Sequence, residues 1–198
     1  MSIVDKVLAA VTPPESEEAR AEATRKARAA AEPGDWLSLA LDHHDQIRGA
    51  FEACRSADAP GRTRVFKQLA LILNGHSMAE EVVLYPALAK AGEKGHAGTA
   101  YTEQTTAKMQ MAELERIDPA SDGWLEKLEH IRGAVLHHIY EEENSWFLEL
   151  KQRYDDQSFL SARFAEEFAR YAGSSPAVGE TRSFASRDGG EASPSMPI

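Results

Sequence analysis

The sequence is poor in cysteine, in long apolar runs and in positive charge, and each shortage excludes a class of protein. Cys54 is the only cysteine among 198 residues, so an internal disulfide and a cysteine-based zinc site are both excluded. No apolar run approaches the roughly 20 residues that span a bilayer, so we expect no membrane partner. The formal net charge is −10 without a basic stripe, which argues against nucleic acid as a partner.

The N-terminus also lacks the features of a signal peptide. Asp5 lies close to Met1, and the apolar stretch that follows it is short. We therefore expect a cytoplasmic location.

Strand-like alternation and β-branched residues are scarce, whereas helical periodicity extends over most of the chain. Breakers that contain Pro or Gly interrupt this periodicity, and they delimit four long predicted helices at about 35–56, 62–91, 97–117 and 121–154. We predict an all-α fold in which these helices form an up-down four-helix bundle over residues 35–155.

Shorter segments flank the predicted bundle. Residues 1–34 contain a stretch rich in Ala, Glu and Arg that favours an exposed helix, which Pro33-Gly34 ends. Residues 156–172 carry aromatic side chains at helical spacing, so this helix is expected to dock on the bundle or on another subunit. Residues 173–198 are rich in Gly, Ser and Pro and are predicted to form a disordered tail.

Polar residues interrupt the apolar stripe of every predicted bundle helix. An unpaired buried carboxylate is costly, whereas imidazoles and carboxylates together can bind a dication. In two helices a His precedes a Glu by four residues, which places both side chains on one helix face. The stripes therefore predict an inward-facing metal site formed by His44, His76, Glu80, His138 and Glu142, with Gln104 at the matching position of the third helix.

An internal repeat supports this prediction. The segment HSMAEEVVLYPAL, which begins at His76, aligns without gaps on HIYEEENSWFLEL, which begins at His138. A His, two Glu, a large apolar residue, an aromatic residue and a Leu recur in register. The chain is therefore interpreted as two helical hairpins of one plan, each of which donates half of a site.

The motifs LALDHHDQIRGAF, GHSMAEEVVLYPAL and HHIYEEENSWFLEL together resemble the hemerythrin-like HHE cation-binding proteins over residues 35–154. The resemblance implies a helical bundle around a non-heme di-iron centre. It also implies terminal histidine ligands and two bridging carboxylates, namely His44, His76 and His138 with Glu80 and Glu142.

The third helix departs from the family pattern. The fullest metal site of the family takes two histidines there, four residues apart, and this sequence has Gln104 and Lys108 instead. Gln104 can offer a carbonyl oxygen, which suits a hard cation. Protonated Lys108 cannot ligate, and its charge can take the place of a second metal beside the carboxylates.

Three interpretations of the site follow from this departure. The first is an altered dinuclear site that a neighbouring group completes, such as Tyr101, Glu103, His43 or His137. The second is a mononuclear site with the three histidines and one or both carboxylates. The third is a metal-free polar core in which Lys108 and Gln104 pair with the two carboxylates.

Ordinary structural roles are expected for the residues beside these motifs. The remaining glutamates of the two acidic faces are expected at the solvated surface, namely Glu81, Glu141 and Glu143. The downstream aromatic residues are expected to pack as an apolar cap that limits solvent access, namely Tyr85, Trp146 and Phe147.

Non-heme iron held by His and carboxylate, with an open coordination position, suits the binding of dioxygen, peroxide or nitric oxide. We therefore expect a protein that binds, senses or detoxifies one of these ligands, or that handles iron; manganese and zinc are alternative metals. A second hypothesis is an oxidase or peroxidase that acts on a small substrate. A third is an interaction module with a structural metal, whose flanking helices recruit a protein partner or form a homodimer.

Overall fold

A computed structural model describes residues 15–173 of the chain. Within that range every regular element is a helix, and the predicted tail lies beyond it, outside the described residues. The flanking N-terminal helix α1 spans Glu17–Ala30, and the first bundle helix α2 spans Trp36–Ser56. The third bundle helix is α5, Lys94–Leu114, and the flanking C-terminal helix is α8, Gln157–Ala172.

The second and fourth bundle helices each contain a π-helical segment. The second consists of α3, π1 and α4, which span Ala59–Ala79, Glu80–Leu84 and Tyr85–Lys90. The fourth consists of α6, π2 and α7, which span Asp122–Glu141, Glu142–Trp146 and Phe147–Arg153. Both interruptions fall at equivalent positions of the internal repeat.

Side-chain caps and one glycine turn set the ends of the bundle helices. Asp35 and Asp58 each accept a hydrogen bond from the backbone N–H three residues later, which satisfies a free donor at the helix start. Gly92 has a φ of 108°, in the left-handed region that favours glycine, and it turns the chain between α4 and α5.

Two apolar clusters fill the bundle, and the predicted polar residues lie between them. Along α2 the chain passes from the first cluster (residues 36–41) to the second (residues 47–54). The second bundle helix returns from the second cluster to the first, and the third and fourth helices repeat this alternation. Consecutive helices therefore run in opposite directions, which confirms the predicted all-α, up-down four-helix bundle.

The flanking helices cover the bundle from outside. Helix α8 packs on α2 and α3 and buries Leu160, Phe164 and Phe168, so it docks on the bundle of its own chain. Gly75 of α3 permits this contact, because a Cβ there would lie 3.0 Å from the Cβ of Ala172. Helix α1 packs on α2 and π2. Among the helices of residues 15–173, none has the length and apolarity that crossing a membrane requires.

Candidate metal centre

Both His–Glu pairs lie where an α-helix continues as a π-helix. His76 is in the last turn of α3 and Glu80 begins π1, while His138 and Glu142 occupy the same places in α6 and π2. In a π-helix the backbone hydrogen bond joins residues five apart, here from the Tyr85 N–H to the Glu80 carbonyl oxygen. This register brings the side chain of Tyr85, five residues after Glu80, back towards the Glu80 carboxylate.

One half of the site brings together two imidazoles and two carboxylates. The Nε2 atoms of His44 and His76 lie 3.1 Å apart. His76 Nε2 lies 3.0 Å from Glu80 Oε1, and His44 Nε2 lies 3.3 Å from Glu142 Oε2. All four residues are buried, and one ligand atom from each lies within 4.8 Å of the others. These side chains are close enough to coordinate a single ion.

The opposite oxygens of the same carboxylates face a second group. The Tyr85 hydroxyl lies 2.8 Å from Glu142 Oε1 and 3.1 Å from Glu80 Oε2. His138 Nε2 lies 3.1 Å from the Tyr85 hydroxyl and 3.3 Å from Glu142 Oε1. The Gln104 amide donates to the Tyr85 hydroxyl at 2.6 Å and to Glu80 Oε2 at 2.5 Å. Each carboxylate therefore presents one oxygen to each half, as the bridging of two ions requires.

These residues together are called the buried cage: His44, His76, Glu80, Tyr85, Gln104, His138 and Glu142. Glu80 Oε1 and Glu142 Oε2 are fully buried, and within residues 15–173 they lie 3.0 and 3.3 Å from imidazole nitrogens without forming a well-aligned hydrogen bond. Burying such an oxygen without a partner costs free energy, more so when it is charged. A dication coordinated by these two oxygens and the facing imidazoles removes that cost, so the cage fits a metal.

The carboxylates of the cage favour the protonated forms of the neighbouring imidazoles. Burial alone would lower the pKa of His44, but the attraction of Glu142 and Glu143 raises it to about 9. Burial opposes the charged form of His138 too, and the charge of Glu142 outweighs it and raises the pKa well above its usual range. The pKa of Tyr85 is raised by burial and by the neighbouring carboxylates, which keeps its hydroxyl protonated. Metal binding therefore displaces protons from the cage.

Comparison with known proteins agrees with this geometry. The family model for the hemerythrin HHE cation binding domain matches residues 37–150. The chain belongs to the hemerythrin HHE family. This confirms the resemblance that the sequence motifs indicate.

One curated relative of this hemerythrin HHE chain is a DNA nickase from Nostoc sp. (strain PCC 7120 / SAG 25.82 / UTEX 2576). The two proteins are 23% identical over 126 residues, which is 63% of this chain and 35% of the nickase. The match thus spans about a third of the relative's length. No solved structure gives a significant match to the chain.

Carboxylates behind two of the imidazoles orient this hemerythrin HHE site. His44 Nδ1–H donates to Glu143 Oε1 at 2.8 Å, and His138 Nδ1–H donates to Glu103 Oε2 at 2.8 Å. Such a bond fixes the ring and its tautomer, which directs the Nε2 lone pair to a metal. Glu103 is one of the groups that the sequence analysis offered to complete the site, and in the structure it contacts His138 instead.

Glu143 connects the site to the flanking helix α1. Its side chain accepts hydrogen bonds from Arg48 at 2.8 Å and from the Thr24 hydroxyl of α1. The residue is 0% exposed, so the expectation that Glu143 lies at the solvated surface is wrong. Sequence alone cannot reveal this burial, because it depends on α1 covering π2.

We expect Glu143→Gln to weaken metal binding roughly 10–100-fold. A neutral amide holds the His44 Nδ1–H less strongly, and Arg48 loses the charge that it contacts. A competition titration against a chelator of known affinity measures the change. Glu141→Gln, two residues earlier, is the matched control and is expected to bind metal like the wild type; an equal loss in both variants would contradict the proposed role.

The histidines next to the predicted ligands lie outside the buried cage. His43 stacks on Phe168 of α8 with ring centroids 3.7 Å apart, and burial lowers its pKa to about 3. His137 Nδ1 donates to Glu15 at 2.8 Å, beside the start of α1. Both rings therefore support the docking of the flanking helices.

Lys108 and Tyr101 of α5 also lie outside the buried cage. Lys108 Nζ pairs with Glu81 at 2.6 Å, and the Tyr101 hydroxyl donates to the Glu81 carbonyl oxygen at 2.6 Å. The Tyr101 ring packs against that of Tyr85, with centroids 5.2 Å apart. Lys108 thus binds a carboxylate at the edge of the site, and Gln104 is the residue of α5 that enters the cage.

Tyr85 is a cage residue that the sequence interpretation assigned to an apolar cap, and for its hydroxyl that expectation is wrong. The signal was present in the repeat, where Tyr85 and Phe147 each follow a Glu by five residues. On an ideal α-helix, a side chain five residues after the Glu is directed away from it. The π-helical register turns that side chain back towards the Glu. Phe147 has no hydroxyl and stacks on His44, with centroids 5.8 Å apart.

Proposed function

We propose that this chain holds a dinuclear non-heme iron centre and uses it to bind or reduce a small oxidant ligand: dioxygen, peroxide or nitric oxide. One observation carries the proposal. Glu80 and Glu142 each direct one carboxylate oxygen to the His44–His76 half and the other to the Tyr85 hydroxyl. A single ion would need only one half of this arrangement.

The two halves of the centre would have different ligands. His44 and His76 would hold the first ion, and His138, Tyr85 and the Gln104 side chain would hold the second, with both carboxylates shared. Iron in such a His and carboxylate environment supplies a redox-active cation that accepts a small ligand. The second position would thus have a phenol and an amide where the first has a second imidazole, which makes the centre asymmetric.

The residues of this chain prepare the site in three ways. Glu143 and Glu103 fix the rings of His44 and His138. The Tyr85 Oη donates a hydrogen bond to Glu142 Oε1, which fixes the orientation of that carboxylate, and with a cation bound the deprotonated Oη would become a ligand. Burial of the cage between two apolar clusters keeps bulk water away and strengthens each of these interactions.

The likeness to a DNA nickase does not favour DNA as the substrate here. The formal net charge of −10 opposes the approach of phosphates, and the match leaves about two thirds of that relative uncovered.

Metal content tests the proposal directly. The protein is expressed with iron and purified without chelator, and iron per chain is measured before absorbance spectra are recorded with and without peroxide. We expect about two irons per chain, as in other carboxylate-bridged bundle sites, and a spectrum that changes on addition of peroxide. One iron or less, with no spectral response, would refute the dinuclear proposal.

A further inference from the structure

A second group of metal-ligating side chains lies outside the buried cage. It consists of Glu93, the residue before α5, His96 in the first turn of α5, and Glu149 of α7. One ligand atom from each residue lies within 4.8 Å of the others, and all three residues are half-buried. The group therefore lies near the surface of the protein, outside its apolar core.

The His96 ring lies close to one carboxylate oxygen of each glutamate. His96 Nδ1 lies 3.5 Å from Glu93 Oε2 and 3.4 Å from Glu149 Oε2. Nevertheless, the His96 Nδ1 and Glu149 Oε2 atoms are inaccessible to water and have no hydrogen-bond partner within residues 15–173. Two polar atoms without partners cost free energy unless another group satisfies both. A cation between them would do so.

Neighbouring side chains hold two of the ligands in place. The Arg153 guanidinium binds Glu93 Oε1, which leaves Glu93 Oε2 directed at His96. The His96 ring stacks on Trp146, with centroids 5.7 Å apart and planes at 22°. Ligands that are already ordered lose less conformational entropy when they bind.

We propose that Glu93, His96 and Glu149 form an accessory site for a divalent cation, separate from the buried cage. One imidazole and two carboxylates suit Fe²⁺, Mn²⁺ or Zn²⁺, and solvent water would fill the remaining positions. Binding is weaker than in the buried cage, since the protein supplies fewer ligands in a more solvated place. Trp146 lies between the two sites, because its ring also packs against that of His138, with centroids 5.8 Å apart.

Calorimetric titration with Zn²⁺ as the probe tests this proposal on the full chain. The wild type is expected to show the tight binding of the buried cage followed by one weaker event. His96→Asn and Glu149→Gln are each expected to remove the weaker event and to leave the tight one unchanged. Glu126→Gln, at an exposed position of α6, removes the same charge as Glu149→Gln and is expected to retain both events.

The outcomes separate this proposal from that for the buried centre. Absence of a weaker event in the wild type, or its survival in both His96→Asn and Glu149→Gln, would overturn the accessory site. If the wild type shows the weaker event but no tight event, the result would instead count against the buried centre. A matching check is the ¹H–¹⁵N signal of the His96 ring in protein whose buried cage is already filled with Zn²⁺; added Mn²⁺ should broaden this signal in the wild type and in Glu126→Gln but not in Glu149→Gln.

Discussion

Glu142→Gln is expected to reduce bound iron from about two ions per chain to less than one, the largest loss expected of any single isosteric change in the cage. Glu142 Oε2 faces His44 and Glu142 Oε1 faces Tyr85, so one substitution weakens both halves. Metal analysis after purification without chelator measures the loss. Retention of two ions in this variant would show that the carboxylate does not bridge.

The same variant should be less stable to heat than the wild type, both with and without metal. A metal present at 100 times its Kd stabilises the wild type by about 2.7 kcal/mol, which raises the Tm of a chain of this size by roughly 5–10 °C. Glu142→Gln should lose this increase. Its metal-free form should melt lower than the metal-free wild type, because the substitution removes the carboxylate that pairs with His44 and His138 and leaves their charge uncompensated. Wild-type protein treated with chelator is the control.

Tyr85→Phe is expected to abolish the visible absorbance of the iron-loaded, oxidised protein and to lower its iron content to about one ion per chain. A phenolate bound to ferric iron absorbs visible light by charge transfer, and phenylalanine has no oxygen to provide this. The Tyr85 hydroxyl also contacts His138 and Gln104, so its loss weakens the second half of the cage most.

Tyr101→Phe is the matched control for this experiment. Tyr101 packs against the Tyr85 ring, but its own hydroxyl donates to the Glu81 carbonyl oxygen. The control should retain both the absorbance and the second iron. A visible band that persists in Tyr85→Phe, or disappears equally in Tyr101→Phe, would exclude Tyr85 as a ligand.

The bundle was predictable because its signals are local and repeated. Apolar stripes at helical spacing predicted the inward faces. In the first helix every residue of the stripe is buried, namely Leu37, Leu41, His44, Ile47 and Phe51. The second helix begins at Ala59, three residues before the predicted start. It begins there because Asp58 caps it and Pro60 is tolerated in its first turn. The polar positions within the stripes were found because a buried Glu conflicts with the pattern around it.

Two features of the cage depend on information that a periodicity of 3.6 residues does not contain. The π register rotates Tyr85 towards Glu80, and an analysis based on the α-helix assigns that side chain to another face. The burial of Glu143 depends on Thr24, more than a hundred residues away in the sequence. The packing of a distant flanking helix leaves no signal in the sequence around Glu143. A solvated position was therefore the natural expectation for this residue.

The two π-helices also limit how this centre could be transplanted into a designed protein. Idealised bundles consist of uninterrupted α-helices, on which each residue advances the side-chain direction by about 100°. A design that copied the spacing from His76 through Glu80 to Tyr85 onto such a helix would turn the phenol away from the carboxylates by about that angle. A designer would have to build the backbone irregularity deliberately or move the tyrosine one position earlier. The five-residue interval and the widened turn therefore form a single structural unit, since the interval aims the phenol correctly only on the widened turn.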